Sequence, residues 1–332
     1  MKRVTIKDVA VRAGVSFATV SRVLDDRPEI SDATKARVRA ACAEMGYVPN
    51  KAARGLVMKN TKTIGLIVPD ISNPYFSGLG LSVEMRAREN GYRVLLCNSL
   101  REEARETLVL DSLLSQQIDG LIIAPVSPGS QRKLEHALGS TPRVYLGNNH
   151  DDQCSYVVVD NKRGAYEATR YLLCLGHRDI AFLGGREGSR TRHFRIAGFR
   201  KAMEEAGLSG REYPSPAEGD SYQHNHARAL QLFREGPLPH AIFAYSDRIA
   251  LSVLQAAEEC GVRIPEDVSL LGFDNIDFAG LPRINLTTVS QHKAELGRRA
   301  VDHLFAQIAG DMTPVADILE PELIIRDTCR RR

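Results

Sequence analysis

The sequence predicts a small all-α head followed by a larger α/β body built on two parallel sheets. Three observations carry this expectation. At the start, two short amphipathic segments of helical period meet at Gly14. From Thr61 onward, continuous apolar runs of strand length alternate with helix-period segments, the pattern of parallel strands covered on both faces. Charge divides at the same place. Residues 1–62 hold thirteen Lys/Arg and six Asp/Glu, a net +7, while the rest hold 31 and 35, a net −4. A basic head on an acidic body suggests that the head meets a polyanion. At 332 residues the chain is long for one core, which favours more than one domain.

In the head, Ile6, Val9, Ala10 and Ala13 share one face of the first helix. Thr5 is placed to cap it, with Asp8 three residues on as a partial capping box. Gly14 ends it, because glycine takes positive φ at little cost. Ser16 caps a second helix that buries Val20, Val23 and Leu24. Two short helices about a glycine turn form a helix-turn-helix, whose second helix enters the DNA major groove by its N-terminal residues. Here those are Phe17 and Ala18, with Ser21 and Arg22 one turn on. Ser31 caps a third helix, with Val38, Ala41, Cys42 and Met45 facing the core and Gly46 closing it.

Residues 48–61 read as a linker. Pro49 and Asn50 could start a helix through Ala52, Ala53, Leu56 and Val57, but the segment is too short to hold one alone. It is expected to order on a partner. Lys51, Arg54 and Lys59 suit DNA phosphates, and Leu56 offers an apolar tip as a wedge.

The body shows candidate strands at 63–70, 92–98, 119–126, 143–147 and 155–160, then at 179–185, 240–245 and 268–274. Late strands are expected at 286–289 and 322–327. Helix-period segments include 76–90, 161–175, 195–206 and 247–260. So many units imply two α/β subdomains, about 62–160 with 291–320 and about 161–290 with 321–332. The cysteines at 42, 97, 154, 174, 260 and 329 are scattered, which points to buried free thiols and to no metal site. Lys2 and Arg3 precede no apolar run, so no signal peptide is expected; no stretch is long enough to cross a bilayer, and the cytoplasm is the expected compartment. Enzyme signatures are missing: there is no G-x-S-x-G, Walker A or H-E-x-x-H. G-G-R-E-G at 184–188 lacks dinucleotide spacing, and His224 and His226 read as solvated in a polar loop. No cofactor is implied.

Several stretches taken together resemble the lactose-repressor and galactose-repressor family of bacterial transcription regulators. They are I-K-D-V-A-x-x-A-G-V-S-x-x-T-V-S-R-V-L at 6–24, G-Y-x-P-N-x-A-A-R-G-L at 46–56 and I-G-L-I-V-P-D-I-S-N-P-Y-F at 64–76. D-N-K-R-G-A at 160–165, G-H-R-D-I-A-F-L-G-G at 176–185 and L-G-F-D-N at 271–275 follow. The resemblance implies a helix-turn-helix head at 1–47, a hinge helix at 48–61 and a periplasmic-binding-protein-like body at 62–332. It further implies a homodimer on a near-palindromic operator, a small-molecule effector between the subdomains, and no membrane partner. A repressor is the expected reading; a transport-type sugar-binding protein or an enzyme on the same body are the rivals.

The resemblance also distributes roles. Arg22 would fork onto guanine, and Phe17 and Ala18 would read thymine methyls or shape. Thr5, Ser16, Thr19, Ser21, Ser31, Thr34, Asn50 and Arg54 would hold backbone and phosphate, and Leu56 would enter the minor groove. In the cleft, Asp274 and Arg195 would bind the vicinal hydroxyls of a sugar. Phe76 and Tyr75 would stack on a ring, and Asp70, Asn148, Asp160, Thr191, Ser246 and Gln291 would assist. A loop at 221–224 would lay Tyr222 over the ligand. A sugar or sugar derivative is the default effector, with a purine or nucleoside open, and its sign as inducer or corepressor stays open too.

Overall fold

A computed structural model describes residues 4–24, 26–47, 61–148, 153–215 and 221–332. The chain forms two compact units, residues 1–61 and 62–332. The first contains α1 (Ile6–Ala13), α2 (Phe17–Leu24) and α3 (Asp32–Glu44). Thr5 and Asp8 close a complete capping box at α1, and Gly14 ends it at φ 63°. Val9, Ala10, Ala13, Val20, Val23, Val38 and Ala41 are the buried core, with Leu24, Cys42 and Met45 packed against it. The expected linker helix, with Asn50, Arg54 and Leu56, lies outside the described residues.

The second unit contains β1 (Thr63–Val68), α4 (Pro74–Glu89), β2 (Arg93–Asn98), α5 (Glu103–Ser115), β3 (Gly120–Ile123), α6 (Pro128–Leu138), β4 (Arg143–Leu146) and β5 (Tyr156–Val159). Then come α7 (Asn161–Cys174), β6 (Ile180–Arg186), α8 (Arg190–Glu205), β7 (Arg211–Ser215), α9 (Tyr222–Arg234), β8 (Ala241–Ala244), α10 (Asp247–Cys260) and β9 (Ser269–Asp274). The chain closes through β10 (Thr287–Ser290), α11 (Lys293–Ile308), β11 (Ala316–Leu319) and β12 (Glu322–Ile324).

These strands form two six-stranded sheets, ordered β11-β5-β4-β3-β1-β2 and β12-β10-β9-β8-β6-β7. All pairings are parallel except β10 with β12. The chain passes from the first sheet to the second after β5, returns after β10, and passes over again after β11. The central strands are apolar on both faces because each face has its own helices. In β1, Ile64, Leu66 and Val68 pack with Leu79 and Val83 of α4 and with Leu296 and Leu304 of α11. Ile67, between them, faces Leu110 and Leu113 of α5 and Leu134 of α6. The second sheet repeats this, with Ala181 and Leu183 toward α9 and α10, and Ile180 and Phe182 toward α7 and α8.

Two strands were not expected. β7 and β11 are short edge strands, partly exposed, and carry little apolar signal. The thiols also differ from expectation: none of the six is fully buried, and Cys174 is exposed. Cys97 lies on the edge strand β2, and Cys174 and Cys260 are the last residues of α7 and α10, so these thiols sit at the margins of the cores.

Gly272 of β9 marks a close approach. A Cβ there would lie 2.2 Å from Asp247 Oδ1 and 2.9 Å from Leu286 Cδ2. Gly272→Ala is therefore expected to cost about 1–3 kcal/mol of stability through overpacking. Thermal denaturation checks this, and an unchanged Tm would mean that the carboxylate moves aside freely.

Candidate functional site

In the head, α2 presents its first turns to solvent. Phe17 is 53% exposed, outside the core that its neighbours Val20 and Val23 enter. Ala18 and Arg22 are exposed and Ser21 is half-buried. The hydroxyls beside the helix ends already serve the backbone. Ser16 Oγ accepts from Thr19 N at 3.1 Å and meets Thr19 Oγ1 at 2.9 Å. Ser31 Oγ accepts from Thr34 N at 3.4 Å and meets Thr34 Oγ1 at 3.0 Å. Thr5 N and Oγ1 both donate to Asp8, at 2.8 and 2.7 Å. Three basic side chains of the head are paired, Arg12 with Glu44 and both Lys35 and Arg39 with Asp26. The Arg22 guanidinium has no partner among the described residues, so it is free to bond outward.

In the body, the carboxyl ends of both sheets' strands open onto one cavity of about 130 Å³. Its wall comes from segments following β1 (Asn73, Tyr75, Phe76), β4 (Asn148), β6 (Arg186, Thr191, Arg195), β8 (Tyr245, Ser246), β9 (Asp274) and β10 (Gln291). This is where open parallel sheets bind ligands, next to the strands at which the order reverses.

At the base lies Arg195, 3% exposed, with every side of its guanidinium engaged. Nε donates to Asn161 Oδ1 at 2.8 Å, Nη1 donates to the Tyr245 carbonyl, and Nη2 lies 3.4 Å from Asp274 Oδ1. The group stacks on the Phe273 ring, 3.6 Å from its centroid. Gln291 Nε2 donates to the same Asp274 oxygen at 2.6 Å, and Tyr75 OH donates to Gln291 Oε1 at 3.3 Å. Asp274 is 4% exposed and sits at φ 121°, a strained conformation at the strand end. Burial pushes its carboxyl above the usual range, against the pull of Arg195 and Gln291. Behind it Asp247 is fully buried and raised likewise, by burial and by Asp274, while Thr288 Oγ1 and Ile276 N donate to it.

Of the residues named from the sequence, Tyr75, Phe76, Asn148, Thr191, Arg195, Tyr222, Ser246, Asp274 and Gln291 all line this cavity. Asp70 does not line it. Its carboxylate is tied to Arg248 Nη1 at 2.7 Å and to Ser72 Oγ at 2.6 Å. Burial pushes Asp70 up, but Ser72, Arg101 and Arg248 together hold it below its ordinary range. Asp160 is not on the wall either, because it caps α7 by accepting from Arg163 N at 2.9 Å. The inward side chain is the next one. Asn161 bridges Arg195 to Asn148, donating to Asn148 Oδ1 at 2.9 Å.

Two further expectations are corrected. Residues 221–224 are not a loop but the cap and first turn of α9, with Ser221 Oγ accepting from His224 N. Tyr222 reaches the cavity wall, yet its hydroxyl donates to Gln255 Oε1 at 2.6 Å and its ring lies parallel to that of His226. His226 meets Glu259 at 3.1 Å, and His224 Nε2 is buried without a partner among the described residues, so neither is simply solvated. Helical period explains the Tyr222–His226 pairing, since positions 222 and 226 share one face.

Sequence reasoning missed Arg101, Arg186, Arg248, Asn161 and Tyr245. Arg248 was findable: S-D-R directly after an apolar strand places it in the first turn of a helix at the carboxyl edge.

Comparisons with known proteins find relatives over nearly the whole chain. The family described as "Bacterial regulatory proteins, lacI family" matches residues 5–50, and the "Periplasmic binding protein-like domain" matches residues 169–329. The chain is 37% identical to the HTH-type transcriptional regulator DegA of Bacillus subtilis, over 98% of this chain and 97% of that one. It is 34% identical to the HTH-type transcriptional repressor CytR of Escherichia coli, over 98% and 96%. Among solved structures, the lac repressor dimer bound to operator and the anti-inducer ONPF superposes with a TM-score of 0.88 at 28% identity, covering 99% of this chain and all of that one.

Proposed function

The chain belongs to the lacI family of bacterial regulatory proteins, and from that premise we propose that it is a DNA-binding transcriptional repressor under small-molecule control. It binds a near-palindromic operator as a homodimer, and an effector in the cleft sets its affinity. The relatives it matches are regulators of transcription, not enzymes. The observation that carries the reading is the exposed N-terminal turn of α2, which offers an apolar pair and an unpaired guanidinium to a groove.

Roles follow from placement. Arg22 forks onto guanine O6 and N7, and Phe17 and Ala18 contact thymine methyls or shape. Ser16, Thr19, Ser31 and Thr34 keep hydroxyl oxygens beside helix N-termini, where phosphate is favoured. Thr5, Ser21, Asn50 and Arg54 add backbone contacts, and Leu56 enters the minor groove. In the cleft, the buried Arg195–Asp274 pair recognises vicinal hydroxyls, and the aromatic wall of Tyr75, Phe76 and Tyr245 covers a ring face. An effector shifts operator affinity only through different affinities for two arrangements of the subdomains. Exposed apolar side chains on the first subdomain support self-association, with Leu81 at 60%, Met85 at 48%, Leu96 at 47% and Leu108 at 68%. Cytoplasmic placement belongs to the same proposal, since the target is DNA and no described helix is long and apolar enough to cross a membrane.

Nuclease footprinting at physiological salt, with sedimentation analysis, tests the reading. A symmetric protected site and a dimer are expected; a monomer, or no symmetric protection on any promoter fragment, ends it. Leu56→Ala is expected to weaken specific binding by roughly 10- to 100-fold and random duplex far less, because only the specific complex gains from an unstacked central step. Equal losses would remove the wedge.

A further inference from the structure

The cleft carries more positive charge than a neutral ligand would use. Its wall includes four arginines, Arg101, Arg186, Arg195 and Arg248, and one carboxylate, Asp274. Arg195 and Asp274 balance each other at the base. The upper wall keeps three guanidiniums. Asp70 is the carboxylate that faces them, 2.7 Å from Arg248 and 3.8 Å from Arg101. Arg186 Nη2 donates to a neutral carbonyl, that of Val126, at 3.3 Å. Glu103, whose carboxylate senses Arg186, is already hydrogen-bonded by Ser127 and paired with Lys133 at 3.0 Å. Lys133 and Glu103 offset each other, which leaves three guanidiniums of the cavity wall, Arg101, Arg186 and Arg248, with the Asp70 carboxylate beside two of them.

Arg248 stands in the first turn of α10, where the neighbouring acid, Asp247, is fully buried and turned to Thr288 and Ile276 rather than to Arg248. A helix N-terminus is its positive pole and disfavours a cation there. Arg248 and Arg101 keep side-chain exposures of 27% and 33%, so they are available to a ligand in the cavity. They also come from different sheets: Arg101 follows β2, and Arg248 follows β8.

We propose that the effector is anionic: a polyhydroxylated molecule whose carboxylate or phosphate is taken by Arg101, Arg186 and Arg248, with its hydroxyls on Arg195 and Asp274. This rests on the reading of the cleft as an effector site. An anion there supplies the missing charge and is shared between the two subdomains. Guanidinium forks match both carboxylate and phosphate geometry.

Titration calorimetry and thermal shift on the full-length protein test it with matched probes. Glucose is set against glucuronate and glucose 6-phosphate, and galactose against galacturonate and galactose 1-phosphate. At least one charged member is expected to bind roughly 10- to 100-fold more tightly than its neutral parent, the range of a charge-assisted hydrogen bond. Whether the uronate or the phosphate carries the gain tells which anion the site takes. Arg248→Gln and Arg101→Gln are each expected to narrow the difference in affinity between the charged probe and its neutral parent about tenfold. Neutral parents binding as well as their charged partners, or Arg→Gln variants that keep the full preference, overturn the anionic assignment and leave the cleft as an effector site. No stabilisation by any probe counts against the cleft itself and overturns both.

Discussion

Replacing Arg22 by alanine is expected to cost about 1–3 kcal/mol per half-site, which compounds over two half-sites to a loss of roughly 30-fold to ten-thousandfold in specific operator affinity. Folding should not suffer, because the side chain is exposed and makes no bond among the described residues, and such surface changes stay within about 0.5 kcal/mol. Arg22→Lys is the sharper comparison. It keeps the charge and loses the bidentate fork, so binding to random duplex should stay near the native value while specific binding falls. Fluorescence anisotropy on operator and scrambled duplexes, at two salt concentrations, measures both. A base contact leaves the salt slope of binding nearly unchanged, whereas a lost phosphate contact lowers it by about one. Parallel loss on both duplexes in Arg22→Lys would assign this residue to the backbone.

Arg195→Ala should abolish the effector response and leave operator binding in place. Three partners lose their donor at once: the Asn161 amide, the Tyr245 carbonyl and the Asp274 carboxylate. Breaking a buried pair by removing one member costs about 3–5 kcal/mol. The cost should depend on pH. Removing the opposite charge pushes the Asp274 carboxyl higher still, above a value that burial already raises. An acid whose folded pKa lies above its unfolded one contributes stability below the unfolded value and loses it as pH rises through the folded one. The variant should therefore lie closest to the native protein in acid and fall furthest behind above neutrality. Thermal denaturation across that range, with operator binding measured with and without a compound that stabilises the native protein, decides the matter. A variant that still releases or engages operator on adding that compound would take Arg195 out of effector recognition.

Much of the architecture was legible from residue pattern. β1, β6 and β9 read clearly because both faces are covered, which leaves uninterrupted apolar runs. β7 and β11 did not, since an edge strand needs apolar residues on one side only, and Pro214 further dilutes the first of them. In the cleft, Arg195 and Asp274 stood out through the motifs around them. Arg101, Arg186 and Arg248 did not, because a lone charge near the start of a helix reads as a solvated one. Only strand order brings the ends of β2, β6 and β8 to one cavity. Asp160 failed for a related reason: at a strand-to-helix turn the capping residue and the inward residue are adjacent, and the buried role fell to Asn161.

The triple passage of the chain between the sheets has a consequence for biosynthesis. α11 and β11, which cover and flank the first sheet, are translated only after β6 to β10 of the second. Until Leu296, Ala300, Val301 and Leu304 emerge, the apolar flank formed by Ile64, Leu66 and Leu79 has no lid. The strands of the first subdomain are thus made well before the segments that complete it, and nascent chains pass through a stage that invites chaperone capture or proteolysis.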